Sequence, residues 1–230
     1  MSHVLIAGAS RGIGLGLTQA YLARGDHVTA IARHPAQAPG LIALKTQYPD
    51  TLHTVACDLT SLDASDTIVK ALSHHPLDRV ILNAGISGPK DQQPEHLGTD
   101  DITQIFLSNA IAPLRIARAL RPLVPSGGVM AFTSSILGSV QLALAPDMAL
   151  YGASKAALNS LIRNWATEQG EALDIRLLAL HPGWVRTDMG GAQAPLSVED
   201  SVRGLVRVIE QVAGQAGCDF LDHQGQALPW

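Results

Sequence analysis

Cysteine is nearly missing from this chain: Cys57 and Cys218 are the only two among its 230 residues. Two thiols build no disulfide scaffold and show no metal-ligand spacing, so the expectation is two ordinary thiols, a reducing compartment and no metal site. Charge of one sign is missing too. The 16 Lys and Arg stand against 20 Asp and Glu, for a net charge of -4 with no run of like charge. That leaves no electrostatic footprint for nucleic acid or an anionic membrane surface, and points to a small, neutral or modestly charged partner. No stretch reaches the roughly 18 apolar residues of a membrane span, and the start MSHVLIAGAS lacks a basic region followed by a long apolar segment. A soluble, cytoplasmic protein with no membrane contact is expected. Internal repeats, low-complexity tracts and interdomain linkers are absent as well.

What is present is apolar content: 47% of the residues are hydrophobic, ample for the core of one domain spanning residues 1–230. Short runs rich in branched aliphatics recur: HVLIAG near the start, HVTAIA from His27, LHTVAC from Leu52, DRVILN from Asp78, GVMAFT from Gly128 and DIRLLAL from Asp174. Each reads as a buried strand. Between them lie segments of helical period, such as GIGLGLTQAYLAR from Gly12, LDASDTIVKALSH from Leu62 and ALNSLIRNWATEQ from Ala157. Apolar strands alternating with helices predict an α/β fold: a Rossmann-like, doubly wound parallel sheet of about seven strands with helices on both faces. The Gly- and Pro-bearing stretch over 183–196 is the one long irregular segment late in the chain, and reads as a substrate lid.

The first strand runs into GASRGIG, with Gly8, Gly12 and Gly14 opening a helix. Glycine permits a tight turn and close backbone approach to a pyrophosphate, which the helix N-terminus favours through free N–H groups and its dipole. The spacing differs from GxGxxG, with three residues between the first two glycines and one before the third. At the end of the second strand, AIARHP carries Ala32 and Arg33 and no acidic residue to repel a 2'-phosphate. Arg11 and Arg33 together form a candidate clamp for that phosphate. NADP(H) is therefore the preferred cofactor, with NAD(H) possible.

Tyr151 and Lys155 lie four apart at the start of a predicted helix and share a face. A nearby ammonium stabilises tyrosinate, so Lys155 is expected to lower the Tyr151 pKa from its usual value of about 10. Bringing it near neutrality asks the lysine and the cofactor charge for roughly 3 to 4 kcal/mol. Ser135 is placed to hold a substrate oxygen while Tyr151 transfers the proton.

The motifs occur in order: GASRGIG at 8–14, Asp58 and Leu59, NAG at 83–85, Asn109, the serine pair at 134 and 135, YGASK at 151–155 and PGWVRT at 182–187. This set resembles the short-chain dehydrogenase/reductase family over nearly the full length of the chain. SSILGS, the extended loop before YGASKAALN, HPGWVRTDMGG and the closing LPW resemble its C-factor and sniffer-like carbonyl reductase branch. The resemblance implies Tyr151 as general acid/base, Lys155 as the residue that lowers its pKa and binds the nicotinamide ribose, Ser135 as the group that orients the carbonyl, and Asn109 as the anchor of a water relay to Lys155. It implies that Gly8, Gly12 and Gly14, with Ser10, Arg11 and Ile13 between them, pass the pyrophosphate. Asp58 and Leu59 would frame the adenine, Asn83, Ala84 and Gly85 would line the cofactor floor, and Pro182, Gly183, Val185 and Thr187 would meet the nicotinamide end. A homodimer or homotetramer, built partly on the Tyr151 helix, is implied as well. One departure is Ala7, where the family commonly has threonine, so a hydroxyl that braces the turn is missing and slightly weaker local support is expected.

Other residues are set aside. His74 and His75 are adjacent and read as a surface pair, and His181 is not needed for proton transfer when Tyr151 is present. Trp165 reads as core or interface, Trp184 as a wall of the substrate pocket, and Trp230 as a cover for a pocket or a subunit contact. The loop VQLALAPDMAL before Tyr151 is the expected seat of substrate selection. The activity expected is hydride transfer between nicotinamide and a carbonyl or alcohol. The alternatives are a C-factor-like signalling or nucleotide-sensing protein with little turnover and, more remotely, a nucleotide-fold methyltransferase, which gives no reason for YGASK beside the serine pair.

Overall fold

The computed structural model describes every residue except His74 and Ala145, so the expected His74–His75 pair lies partly outside the described residues. Strands and helices alternate: β1 (His3–Ala7), α1 (Gly12–Ala23), β2 (His27–Ala32), α2 (Pro39–Gln47), β3 (Leu52–Ala56), α3 (Ala64–Leu72), β4 (Arg79–Leu82), α4 (Thr99–Phe106), α5 (Ala112–Leu120), β5 (Val129–Thr133), α6 (Ala149–Gln169), β6 (Arg176–His181), α7 (Val198–Gln211) and β7 (Gly217–Asp222). Among the described residues the sheet has 7 strands in the order β3-β2-β1-β4-β5-β6-β7, and every pairing is parallel. The chain thus forms a Rossmann-like doubly wound sheet.

Successive side chains of a strand point to opposite faces, and here both faces are covered. From β1, Leu5 and Ala7 join Ile68, Ile116, Leu158 and Trp165 of α3, α5 and α6. Val4 and Ile6 of the same strand join Leu17, Leu41, Val202 and Ile209 of α1, α2 and α7. Two cores sharing one sheet explain why the strands read as continuous apolar runs with no alternation. The helices are apolar on one side only: α7 buries Val202, Leu205 and Ile209, while Arg203 pairs with Glu199 on its solvent face. Ser197 caps that helix, accepting from the Asp200 N–H at 3.0 Å.

β7 departs from the apolar pattern of the other strands. GCDFLD is half polar, and Phe220 is its one fully buried residue, because this edge strand has a neighbour on one side only. Trp165 is core, with the Arg118 guanidinium 5.7 Å above its ring. Among the described residues no helix is long and apolar enough to cross a membrane.

The strand order reverses between β1 and β4. Loops leaving these two strands diverge to opposite faces, which opens a crevice at their carboxyl ends. Gly8 follows β1 and Asn83 follows β4, so the candidate residues from both loops meet there.

Candidate active site

The turn after β1 is packed backbone to backbone. Gly8 has φ +87°, and a Cβ on it would meet the Ala84 nitrogen at 2.7 Å. A Cβ on Gly14 would come within 2.0 Å of the Gly8 carbonyl oxygen. Only hydrogen side chains allow the loops after β1 and β4 to approach this closely. Ser10 and Ile13 complete the turn, and α1 starts at Gly12 with an extended Arg11 whose side chain makes no capping bond. The first-turn N–H groups of α1 therefore keep no side-chain acceptor and point out of the helix end, as an anion site requires.

Ala7 offers no hydroxyl, yet the turn is braced. Asn83 donates through Nδ2 to the Gly8 carbonyl at 3.1 Å, and Thr133 at the end of β5 donates through Oγ1 to Asn83 Oδ1 at 3.1 Å. This chain offsets the loss of support expected from Ala7, and Thr133 was not identified from the sequence.

The two arginines are exposed at the rim of the crevice. Arg33 stands at the end of β2. Arg11 is ion-paired with Asp188, a residue of the 183–196 segment, so its charge already has a partner that the sequence reading did not identify. Asp58 accepts from the Thr60 N–H at 3.0 Å and the Thr60 hydroxyl at 2.7 Å. Those bonds hold its carboxyl below the usual value; slight burial opposes them and the Arg33 charge adds to them. Leu59 beside it lines, with Ala7, Leu82 and Ala84, a small apolar hollow at the end of the sheet.

Ser135, Tyr151 and Lys155 come together past the end of β5. Ser134 and Ser135 separate there in role. The buried Ser134 hydroxyl donates to Asn159 Oδ1 at 2.6 Å, inside the protein. Ser135 accepts from the Leu137 N–H at 3.2 Å and has its hydroxyl beside that of Tyr151. Burial pushes the Tyr151 hydroxyl up to about 12, with Ser135 pulling the other way. Burial likewise brings Lys155 down to about 8.

Lys155 stands beside Tyr151 on the same helix: its Nζ donates to the Thr133 carbonyl at 2.8 Å and lies 5.8 Å from the Tyr151 ring centroid. Asn109 is fully buried. Its Oδ1 accepts from the Ile86 N–H at 2.8 Å, and its Nδ2 donates to the Ile86 carbonyl at 2.8 Å and to Ser154 Oγ at 2.9 Å. Both amide hydrogens are used inside the protein, so this side chain braces the loop after β4. Asn109 lies in a single π-turn, Leu107–Ile111, between α4 and α5. Gly85 sits between Asn109 Oδ1 and Lys155 Nζ, 3.1 and 3.4 Å from where its Cβ would be. The floor is thereby kept low enough for a flat ring to lie on it.

The 182–187 segment reaches the same crevice. Pro182 accepts from Ser201 Oγ at 2.7 Å, Gly183 has φ +84°, Val185 is buried, and Thr187 lies against Gly12. The segment closes on itself through a bridge between Val185 and Leu196. Trp184 is 58% exposed and donates through Nε1 to the Gly190 carbonyl at 2.8 Å. His181, at the end of β6, falls to about 4 through burial, with the His223 charge adding and Asp222 opposing, so it is neutral at physiological pH. Trp230 packs within its own chain, 5.5 Å from the Phe220 ring and under the Arg163 guanidinium at 5.2 Å. In the loop before Tyr151, Val140 and Leu144 are exposed. Lys90, Asp91, Gln92, Gln93 and Asp147 line an open groove of about 410 Å³ next to it. Gln92 and Ser154 both contact the Tyr151 backbone; no motif marks Gln92, and Ser154 lies within YGASK without a role that the motif itself reveals.

The glycine cradle, the uncapped helix end and the flat floor at Gly85 fit a dinucleotide, and comparisons with known proteins agree. The short chain dehydrogenase family model matches residues 2–195. C-signal of Myxococcus xanthus is 38% identical over 157 residues, which cover 67% of this chain and 93% of that protein. The crystal structure of a carbonyl reductase from Pseudomonas aeruginosa in complex with NADP is 53% identical, with a TM-score of 0.95 over 100% of both chains. The carbonyl reductase Sniffer of D. melanogaster is 30% identical, with a TM-score of 0.88 over 100% of both. With its sheet order, its site motifs and these likenesses, the chain belongs to the short-chain dehydrogenase/reductase family of NAD(P)-dependent enzymes.

Proposed function

We propose that this enzyme is an NADPH-preferring carbonyl reductase in which Tyr151 gives a proton to a carbonyl oxygen held by Ser135. The observation that carries the reading is the meeting of Ser135, Tyr151 and Lys155 on the crevice side of Gly85. The relatives solved with NADP support the choice of cofactor. When bound, NADPH supplies the hydride that reaches the carbonyl carbon. The Gly8–Gly14 turn and the first N–H groups of α1 hold the pyrophosphate, and Arg33 at the end of β2 takes the 2'-phosphate. Asn83, Ala84 and Gly85 form the floor, and Pro182, Gly183, Val185 and Thr187 close the nicotinamide end.

The chain's own groups do the rest. Ser135 donates a hydrogen bond to the substrate oxygen and fixes its direction. Tyr151, raised to about 12 by burial, is fully protonated at neutral pH, which suits it to donate as the oxygen gains negative charge. Lys155 at about 8 is still mostly charged at pH 7, and its charge offsets the tyrosinate left behind. Reduction is the direction a protonated tyrosine serves. The segment over 183–196 acts as the lid that keeps water from the reacting carbonyl.

Tyr151→Phe tests this reading: kcat for aldehyde and ketone reduction falls by about 10²–10⁴-fold while NADPH binding, read by fluorescence, stays. Full activity in that variant sinks the mechanism. A second reading, a nucleotide sensor without turnover, is favoured by the C-signal likeness. Screening aldehydes, ketones and quinones with NADPH and NADH separates the two, since binding without any oxidation favours the sensor.

A further inference from the structure

The structure assigns to Gln92 the role of a positioning residue for Tyr151, and the inference rests on Tyr151 being the proton donor proposed above. Gln92 lies in the loop that follows the cofactor floor, 59 residues before Tyr151 in sequence. It is only 4% exposed, unusual for a glutamine in a loop, and all of its polar hydrogens are used. Oε1 accepts from the Tyr151 N–H at 2.8 Å. Nε2 donates to the Ser87 carbonyl at 2.7 Å and the Pro89 carbonyl at 3.1 Å. Only an oxygen accepts from an N–H, and only a nitrogen donates to two carbonyls, so the network fixes which way the amide faces.

Tyr151 is the third residue of α6, and its N–H is among the first-turn donors that a helix leaves without a partner. No side chain at the start of α6 caps it, and Met148 at the N-cap position makes no such bond. Gln92 supplies the missing acceptor from another segment. The carbonyl of the same residue is held as well. Ser154 Oγ donates to the Tyr151 carbonyl at 2.7 Å and accepts from Asn109 Nδ2, which also grips Ile86. Both backbone groups of Tyr151 are therefore tied to the loop over 86–92, the N–H through Gln92 and the C=O through Ser154 and Asn109. That loop continues directly from Asn83, Ala84 and Gly85. The harness sets the height of the Tyr151 hydroxyl over the floor, and a donor must sit within a few tenths of an ångström of its acceptor for efficient transfer.

The test uses the full-length enzyme with NADPH and an aromatic aldehyde, together with backbone amide exchange read by NMR. Gln92→Met keeps the volume and removes the acceptor. Its kcat falls about tenfold while KM and the NADPH Kd stay within about twofold, and the Tyr151 amide exchanges at least about tenfold faster. Gln92→Glu keeps the acceptor for Tyr151 but sets a carboxylate against the Ser87 and Pro89 carbonyls. Once protonated, that carboxyl again accepts at one oxygen and donates at the other. Its activity relative to the parent therefore recovers as the pH falls from about 8 to about 6. The inference is overturned if Gln92→Met keeps its kcat, if its loss of kcat only tracks a loss of NADPH sites or of folded protein, or if Tyr151 amide exchange is unchanged. These outcomes are separate from failure of the proton-donor reading, which Tyr151→Phe alone decides.

Discussion

The floor of the site and its rim are built by different means. At the floor, a Cβ on Gly8 would meet the Ala84 backbone, one on Gly14 the Gly8 carbonyl, and one on Gly85 the Asn109 and Lys155 side chains, which are themselves buried and bonded. At the rim, Arg11, Arg33, Asp188, Trp184, Val140 and Leu144 are exposed. The Arg11–Asp188 pair has both side chains about three-quarters exposed, at 75% and 74%, where solvent and salt leave an ion pair little net stabilisation. The floor belongs to the fold, so changing it disturbs stability and cofactor binding together. The rim hangs from the fold, and changing it alters recognition alone.

Gly14→Ala breaks the floor and has the largest expected effect. Its Cβ would lie 2.0 Å from the Gly8 carbonyl, and backbone, not a flexible side chain, must move. Destabilisation of roughly 1–3 kcal/mol follows, as for other overpacked sites, together with loss of NADPH binding. Thermal unfolding and a fluorescence titration read the two. A variant that melts and binds like the parent shows that the turn has slack and removes the contrast.

Lys155 gives the contrast a pH dependence. Burial puts its folded pKa at about 8 against an ordinary 10.5, so between these values the unfolded chain binds more protons and stability rises with pH. Tyr151 works in the opposite sense. Its folded pKa of about 12 against 10.0 means the unfolded chain loses that proton first, so its contribution is lost as pH rises above about 10. The parent should gain on the order of 3 kcal/mol from Lys155 between about pH 8 and pH 10, then lose stability. Lys155→Met should show no such gain, be more stable than the parent at pH 7 and have little activity. Denaturant melts at a series of pH values check this, and a Lys155→Met variant with the parent's pH profile refutes it.

These differences also explain what could be read from the sequence. Apolar runs between helices gave the sheet, because strands covered on both faces are apolar throughout; β7 escaped because an edge strand with Asp219 and Asp222 breaks that pattern. Ser135, Tyr151 and Lys155 were legible because the motifs place them within one short span. The partner of the Lys155 ammonium was not, since sequence spacing brings Lys155 near Tyr151 but does not show that it donates to the Thr133 carbonyl. Thr133, Gln92 and Asp188 act across long separations through single contacts, and such contacts leave no local pattern.

Arg33→Asp is the smallest expected change in the folded protein and the sharpest probe of the rim. The side chain is exposed at the end of β2 and makes no hydrogen bond among the described residues, so the melting temperature should stay with the parent's. Its effect falls on the phosphate. Losing a charge-assisted contact costs about 1.5–3 kcal/mol, which weakens NADPH binding about 10- to 100-fold, and the new carboxylate adds repulsion. NADH carries no 2'-phosphate and keeps its affinity, so the kcat/KM ratio for the two cofactors moves towards NADH. Arg11, already paired with Asp188, bears less of this task, and Arg11→Ala should move the ratio less than Arg33→Asp does. Steady-state kinetics with both cofactors decides between them, and an unchanged ratio in Arg33→Asp would remove the phosphate from the rim altogether.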